Sequence, residues 1–193
     1  MEQSIWEWVN AAGSYDAIPW ERLPELDLYM DQVITLLSKQ LEPFSIGEEK
    51  LLTPSMINNY VKDGVLPRPA QKKYSCEHLA MLMMICMLKS VLTLPEINAA
   101  MKGNLQNHTV EELYPDFAEA QQKALREVAD NLNSLPSHDE NALYRRAVML
   151  ALEANARRIA ASRILDSLAP KEAKEAKEPK KEKPKKDTPP AEE

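Results

Sequence analysis

The stretch "TPSMINNYVKDGVLPRP", Thr53 to Pro69, constrains this chain more than any other, because its punctuation fixes the length of one helix at both ends. Thr53 is an N-cap residue, and Pro54 suits the first helical position, where the missing N–H has no partner to lose. Gly64 supplies the positive φ of a residue just past a helix end. Pro67 and Pro69, with clustered cations and no apolar period in "VLPRPAQKKY", exclude helix immediately afterwards. At 100° per residue, Met56, Ile57, Tyr60 and Val61 fall on one side of this helix and Ser55, Asn58, Asn59 and Lys62 on the other.

Two adjacent asparagines are an expensive choice for such a helix, since their side chains compete for backbone hydrogen bonds. An asparagine amide can donate and accept together against adenine N6 and N7 in the major groove of duplex DNA. Ser55 and Lys62 are placed to meet phosphates, and Arg68, Lys72 and Lys73 in the following loop to hold the backbone beside the groove. Plain solvated surface is the other reading of the same four positions.

The rest of the chain reads as helix. Leucine, alanine and methionine dominate, and only 6% of residues are aromatic. An apolar stripe, Leu26, Met30, Val33, Ile34, Leu37 and Leu41, predicts a helix over 26–41, ended by Pro43. "CEHLAMLMMICMLKSVL" predicts another after Ser75, with Leu79, Leu82, Met83, Cys86 and Met87 as its buried face. A capping box, Thr93 with Glu96, opens a short helix that ends near Gly103. Further helices are predicted within 116–134 and over 139–168, the latter opened by Ser137 and Glu140. In the last, Leu143, Ala147, Leu150, Ala154, Ala161, Ile164 and Leu168 follow a spacing of threes and fours broken by Arg157, compatible with packing on its own domain or on a second subunit. The three tryptophans, Trp6, Trp8 and Trp20, suggest a cap across the core, with a docking patch as the alternative.

Charge divides the chain. The net charge is −6, yet residues 45–103 carry seven basic and five acidic side chains, whereas 1–44 carry two and eight. Four parts are expected: an acidic helical segment (1–44), the central unit (45–103), a C-terminal helical region (104–169) and a disordered charged tail (170–193). No run approaches the roughly 20 apolar residues needed to cross a bilayer, so a cytoplasmic protein is expected. Cys76 and Cys86 form no Cys-x-x-Cys pair, His78, His108 and His138 are scattered, and four glycines build no phosphate loop. No catalytic residue, metal site or cofactor is therefore expected.

Residues 53–97 as a whole resemble the DNA-binding domain of mercury-resistance-regulator (MerR) type winged helix-turn-helix proteins. The shared points are Pro54, Ser55, Ile57, Tyr60, Gly64, Leu66, Tyr74, Ser75, Leu79, Leu82, Ile85, Leu94 and Ile97. The chain is similar, more closely still, to an uncharacterised bacterial family, a domain of unknown function with the signature "MINNYVK". The resemblance covers residues 45–103 and implies an all-α fold with a small β-wing. It places helix 54–62 in the major groove and loop 67–74 on the backbone, and it implies a homodimer joined by helix 139–168. Asn58 and Lys73 stand where that pattern usually has arginine. The function expected is transcription regulation on double-stranded DNA. The alternative is a helical protein-protein adaptor that binds no DNA.

Overall fold

The computed structural model describes residues 4–45, 50–135 and 139–169. The expected charged tail, Ser137 of the second capping box and residues 46–49 of "SIGEEKLL" lie outside them. The described residues form seven α-helices: α1 (Ile5–Gly13), α2 (Met30–Leu41), α3 (Pro54–Lys62), α4 (Cys76–Leu88), α5 (Leu94–Asn104), α6 (Val110–Asn133) and α7 (Glu140–Leu168). They contain no β-strand, so the expected β-wing is absent as sheet. The all-α reading holds.

Helix α4 is the axis of the fold. Every residue from Leu79 to Cys86 is buried, whereas the sequence period had suggested one buried face. A helix apolar all round must be surrounded, and α4 is packed by α2 on one side and α6 on another. Ile57 and Tyr60 of α3 and Ile97 and Met101 of α5 complete the main core. That core also takes Val33, Leu37 and Leu41 from α2 and Val110 and Tyr114 from α6.

Two helix starts differ from expectation for identifiable reasons. Leu26 is 82% exposed, and Leu28 is held extended by paired hydrogen bonds with Tyr74, Leu28 N–H to Tyr74 O at 2.9 Å and the reverse at 2.8 Å. Helix α2 therefore begins only at Met30. Helix α6 begins at Val110 and contains Pro115, which the sequence reading had left outside. A proline inside a helix forfeits one backbone bond. Here it is offset by a capping box between Thr109 and Glu112 and by Tyr114, 1% exposed, whose hydroxyl donates to Ile18 O at 2.7 Å.

The tryptophan-bearing segment lies across the body as a cap. Helix α1 packs on α6, close enough that a Cβ on Gly13 would stand 3.3 Å from Ala129 Cβ. Trp8 anchors it by donating Nε1–H to Pro43 O at 2.8 Å, and Trp20 lies 6.3 Å from the Tyr114 ring.

Helix α7 differs from the others in having no buried residue. Part of the stripe picked out by sequence spacing turns toward its own chain: Leu150 touches the small cluster of Val9, Ala129 and Leu132, and Ala161 and Leu165 touch the main core. Two members of that stripe, Ile164 and Leu168, are exposed. The opposite face carries Val148, Leu152 and Ile159, also exposed.

Candidate nucleic-acid interface

Helix α3 forms as its punctuation requires. Thr53 Oγ1 accepts from Met56 N–H at 3.2 Å, closing the N-terminus. At the other end Gly64 takes φ +69°, and Val65 and Leu66 both donate N–H to Tyr60 O, at 2.9 and 3.0 Å. Ile57 and Tyr60 anchor the helix in the core. Burial pushes the Tyr60 phenol up to about 12, with a lesser contribution from Cys86, so it stays neutral beneath the helix.

Ser55, Asn58, Asn59 and Lys62 are all exposed, at the i, i+3, i+4, i+7 positions of one face. Neither the Asn58 nor the Asn59 side chain is held by a hydrogen bond within the described residues, so both amides keep their full donor and acceptor capacity.

The loop after α3 runs back along it. Arg68 shares a cleft with Val61 and Gly64 at the C-terminal end of α3, while Lys72 shares a groove with Pro54 at its N-terminal end. Both cations are exposed. Lys73 is half-buried, its Nζ 5.4 Å from the centre of the Tyr29 ring, so part of its attraction is spent within the molecule. The loop thus sets Arg68 near the C-terminal end of the amide-bearing helix and Lys72 near its N-terminal end, while Lys73 turns toward Tyr29.

The tip of this loop is a tight turn. Lys73 N–H donates to Ala70 O at 2.9 Å, and the two residues between, Gln71 and Lys72, have φ of 51° and 63°. Positive φ at both central positions is the mark of a type I′ turn, a conformation that favours asparagine and glycine. Keeping two long polar side chains there costs backbone energy, and such strain gathers at functional positions.

Gln71 was not visible as a candidate in the sequence, because nothing local announces a type I′ turn without glycine. Three more polar side chains lie near α3 or its loop through tertiary structure alone. Asn98 and Lys102 of α5 line the cleft that holds Arg68, and Lys89 at the end of α4 reaches Met56 Sδ at 3.7 Å.

His78 fastens the loop to α4. Its Nδ1 accepts from Ser75 N–H at 3.2 Å and lies 2.8 Å from Ser75 Oγ, a capping box with histidine in place of the usual glutamate. Burial holds the imidazole below its ordinary value, against the opposing pull of the Pro67 and Arg68 backbone and of Glu77 and Asp27.

Helix-turn-helix motifs join their two helices by three or four residues. Here residues 42–53 separate α2 from α3, so the tight turn is not formed. Among the described residues no group of histidine, cysteine and carboxylate side chains could hold a metal. Burial raises the Cys86 thiol to about 12, which suits core packing rather than reactivity. No described helix is long and apolar enough to cross a membrane.

A family profile described as "Domain of unknown function (DUF1836)" matches residues 18–118. No curated protein and no solved structure is significantly similar to the chain. The match begins at the residue whose carbonyl Tyr114 holds and ends just beyond Tyr114 itself, so that hydrogen bond ties the two ends of the matched segment together. It includes α3, its loop, α4 and α5, and it covers more than half of the 193 residues. The chain belongs to the DUF1836 family.

Proposed function

We propose that this protein is a sequence-specific regulator of transcription that reads duplex DNA with α3. Asn58 and Asn59 contact base edges in the major groove, and Ser55 and Lys62 contact phosphates on either side. The turn at 70–73 acts as the tip of a wing built without strands, in a distant variant of the MerR-like arrangement, carrying Lys72 to the backbone while Arg68 and Lys73 support it. The observation that carries this reading is the pair of adjacent, unbonded amides on a well-capped helix with a cation stationed at each end.

One nine-residue helix reads only a short half-site. We therefore propose a homodimer in which the outward face of α7, through Val148, Leu152 and Ile159, pairs with a second copy and doubles the reading length. The second reading, a protein-binding adaptor, is favoured by the same exposed α7 face and assigns it a different partner.

Selection of duplexes from a random pool, followed by anisotropy titrations of the winner, tests the proposal. Binding should weaken steeply with salt, because each neutralised phosphate releases counterions. Lys72→Ala should weaken all sequences alike. If selection enriches no sequence and affinity for duplex is insensitive to salt, the adaptor reading replaces it.

A further inference from the structure

A cavity of about 530 Å³ opens between α1, α6 and α7, and none of the residues assigned to DNA lines it. Its volume falls within the range of small-molecule sites. Val128 and Leu132 of α6 and Leu143 and Leu150 of α7 form its apolar walls, and the rings of Trp8 and Tyr144 also line it. One lining side chain is charged, Glu140 in the first turn of α7.

The charge pattern decides what such a cavity accepts. The arginines nearest in sequence are engaged elsewhere, Arg145 with Asp139 at 3.9 Å and Arg146 with Glu153 at 3.4 Å. No described cation pairs with Glu140. A helix N-terminus ordinarily attracts anions. Here that end is already met by Asp139, whose carboxylate accepts from Ala142 N–H at 3.0 Å, and by Glu140 itself. Trp8 has spent its N–H on Pro43 O, leaving the ring as its contribution to the cavity. An apolar cavity whose lining includes one carboxylate and two electron-rich rings offers a recognition chemistry for a positive centre carried on a greasy body.

We propose that this cavity binds a small lipophilic monocation. Its apolar body rests against Val128, Leu132, Leu143 and Leu150, and its positive centre lies between Glu140 and the rings of Trp8 and Tyr144. Leu150 ties the N-terminal half of α7 to Val9, Ala129 and Leu132, and an occupant would fasten that half further to α1 and α6. The inference stands apart from the DNA reading, since binding is measured without nucleic acid.

Calorimetric titration of the full chain with tetraphenylphosphonium and with tetraphenylborate, ions of one shape and opposite charge, tests it. The phosphonium should bind with saturable quenching of tryptophan emission that disappears in Trp8→Phe, and the borate should not bind. Glu140→Gln should weaken the phosphonium about tenfold. Ala147→Trp, which fills the cavity from an exposed position, should abolish binding while leaving the thermal transition in place. Equal binding of the two ions, no phosphonium binding, or unchanged binding in Glu140→Gln or Ala147→Trp would each overturn the proposal.

Discussion

Replacing Asn58 and Asn59 together by alanine separates a recognition role from a structural one, because the two roles give opposite signs in two assays. Both residues lie inside α3, both are exposed, and neither side chain is hydrogen-bonded to a described residue. Nothing in the packing is lost on truncation. Asparagine is roughly 0.6 kcal/mol worse than alanine in a helix interior, so the double variant should be about 1 kcal/mol more stable. For a chain of this size that is a rise of roughly 2–4 °C in Tm. Each lost bidentate base contact should remove about 1–3 kcal/mol of discrimination, so preference for the selected duplex should collapse toward that for random sequence. Calorimetry gives the first number and competition anisotropy the second. A variant that is stabilised and still fully selective would refute base reading by these amides. A destabilised variant would refute the premise that they stand free. The combination of gained stability and lost selectivity is what a helix that sacrifices propensity for function must show.

Three further outcomes follow from the surroundings of α3. Gln71→Asn with Lys72→Gly should relieve the positive-φ strain at the loop tip and raise stability by about 1 kcal/mol in denaturant titration, while weakening DNA binding through loss of the Lys72 charge. The half-buried His78 imidazole has a pKa below the unfolded value of 6.5, so its contribution to stability is complete above pH 6.5 and is lost as pH falls from there through the lower folded value; in His78→Gln the fall in Tm across that window should be smaller than in the parent. Tyr114→Phe removes the hydroxyl that donates to Ile18 O and should cost about 1–2 kcal/mol in urea unfolding, with no change in DNA preference.

The sequence reveals those parts of this fold whose signals are local. Thr53, Pro54 and Gly64 bound α3 correctly, Ser75 starts α4, and Thr93 with Glu96 caps α5, because caps and breakers act within a turn of the residue that carries them. Signals that require a partner distant in sequence are invisible. Periodicity cannot show that α4 is buried all round, since that depends on α2 and α6 closing over it. Pro115 looks like a helix boundary until the Tyr114 hydroxyl finds Ile18 across the fold. Leu26 extends an apolar stripe, but the strand-like pairing of Leu28 with Tyr74 claims the backbone next to it. Of the candidate site, the side chains on α3 were legible, whereas their alignment with Arg68 at one end and Lys72 at the other, and the arrival of Asn98, Lys102 and Lys89, come from tertiary packing.

Helix α7 carries this argument furthest, because its sequence holds two apolar stripes and the spacing favours one without revealing which neighbour it meets. Leu150 lies on the stripe chosen from spacing and turns inward, while Val148, Leu152 and Ile159 form the second stripe and face out. A 29-residue helix is about 44 Å long, well beyond what two small contact points can cover. Exposed apolar side chains along such a length are the kind of patch that marks an interaction surface, and the proposed second copy would cover them with an identical helix. Leu152→Glu, at the middle of the outward stripe, should therefore leave the monomer folded and shift sedimentation equilibrium to a single-chain mass. Should the parent itself sediment as a monomer at all concentrations, the outward stripe belongs to a different protein, and the adaptor reading gains the surface that the regulator gives up.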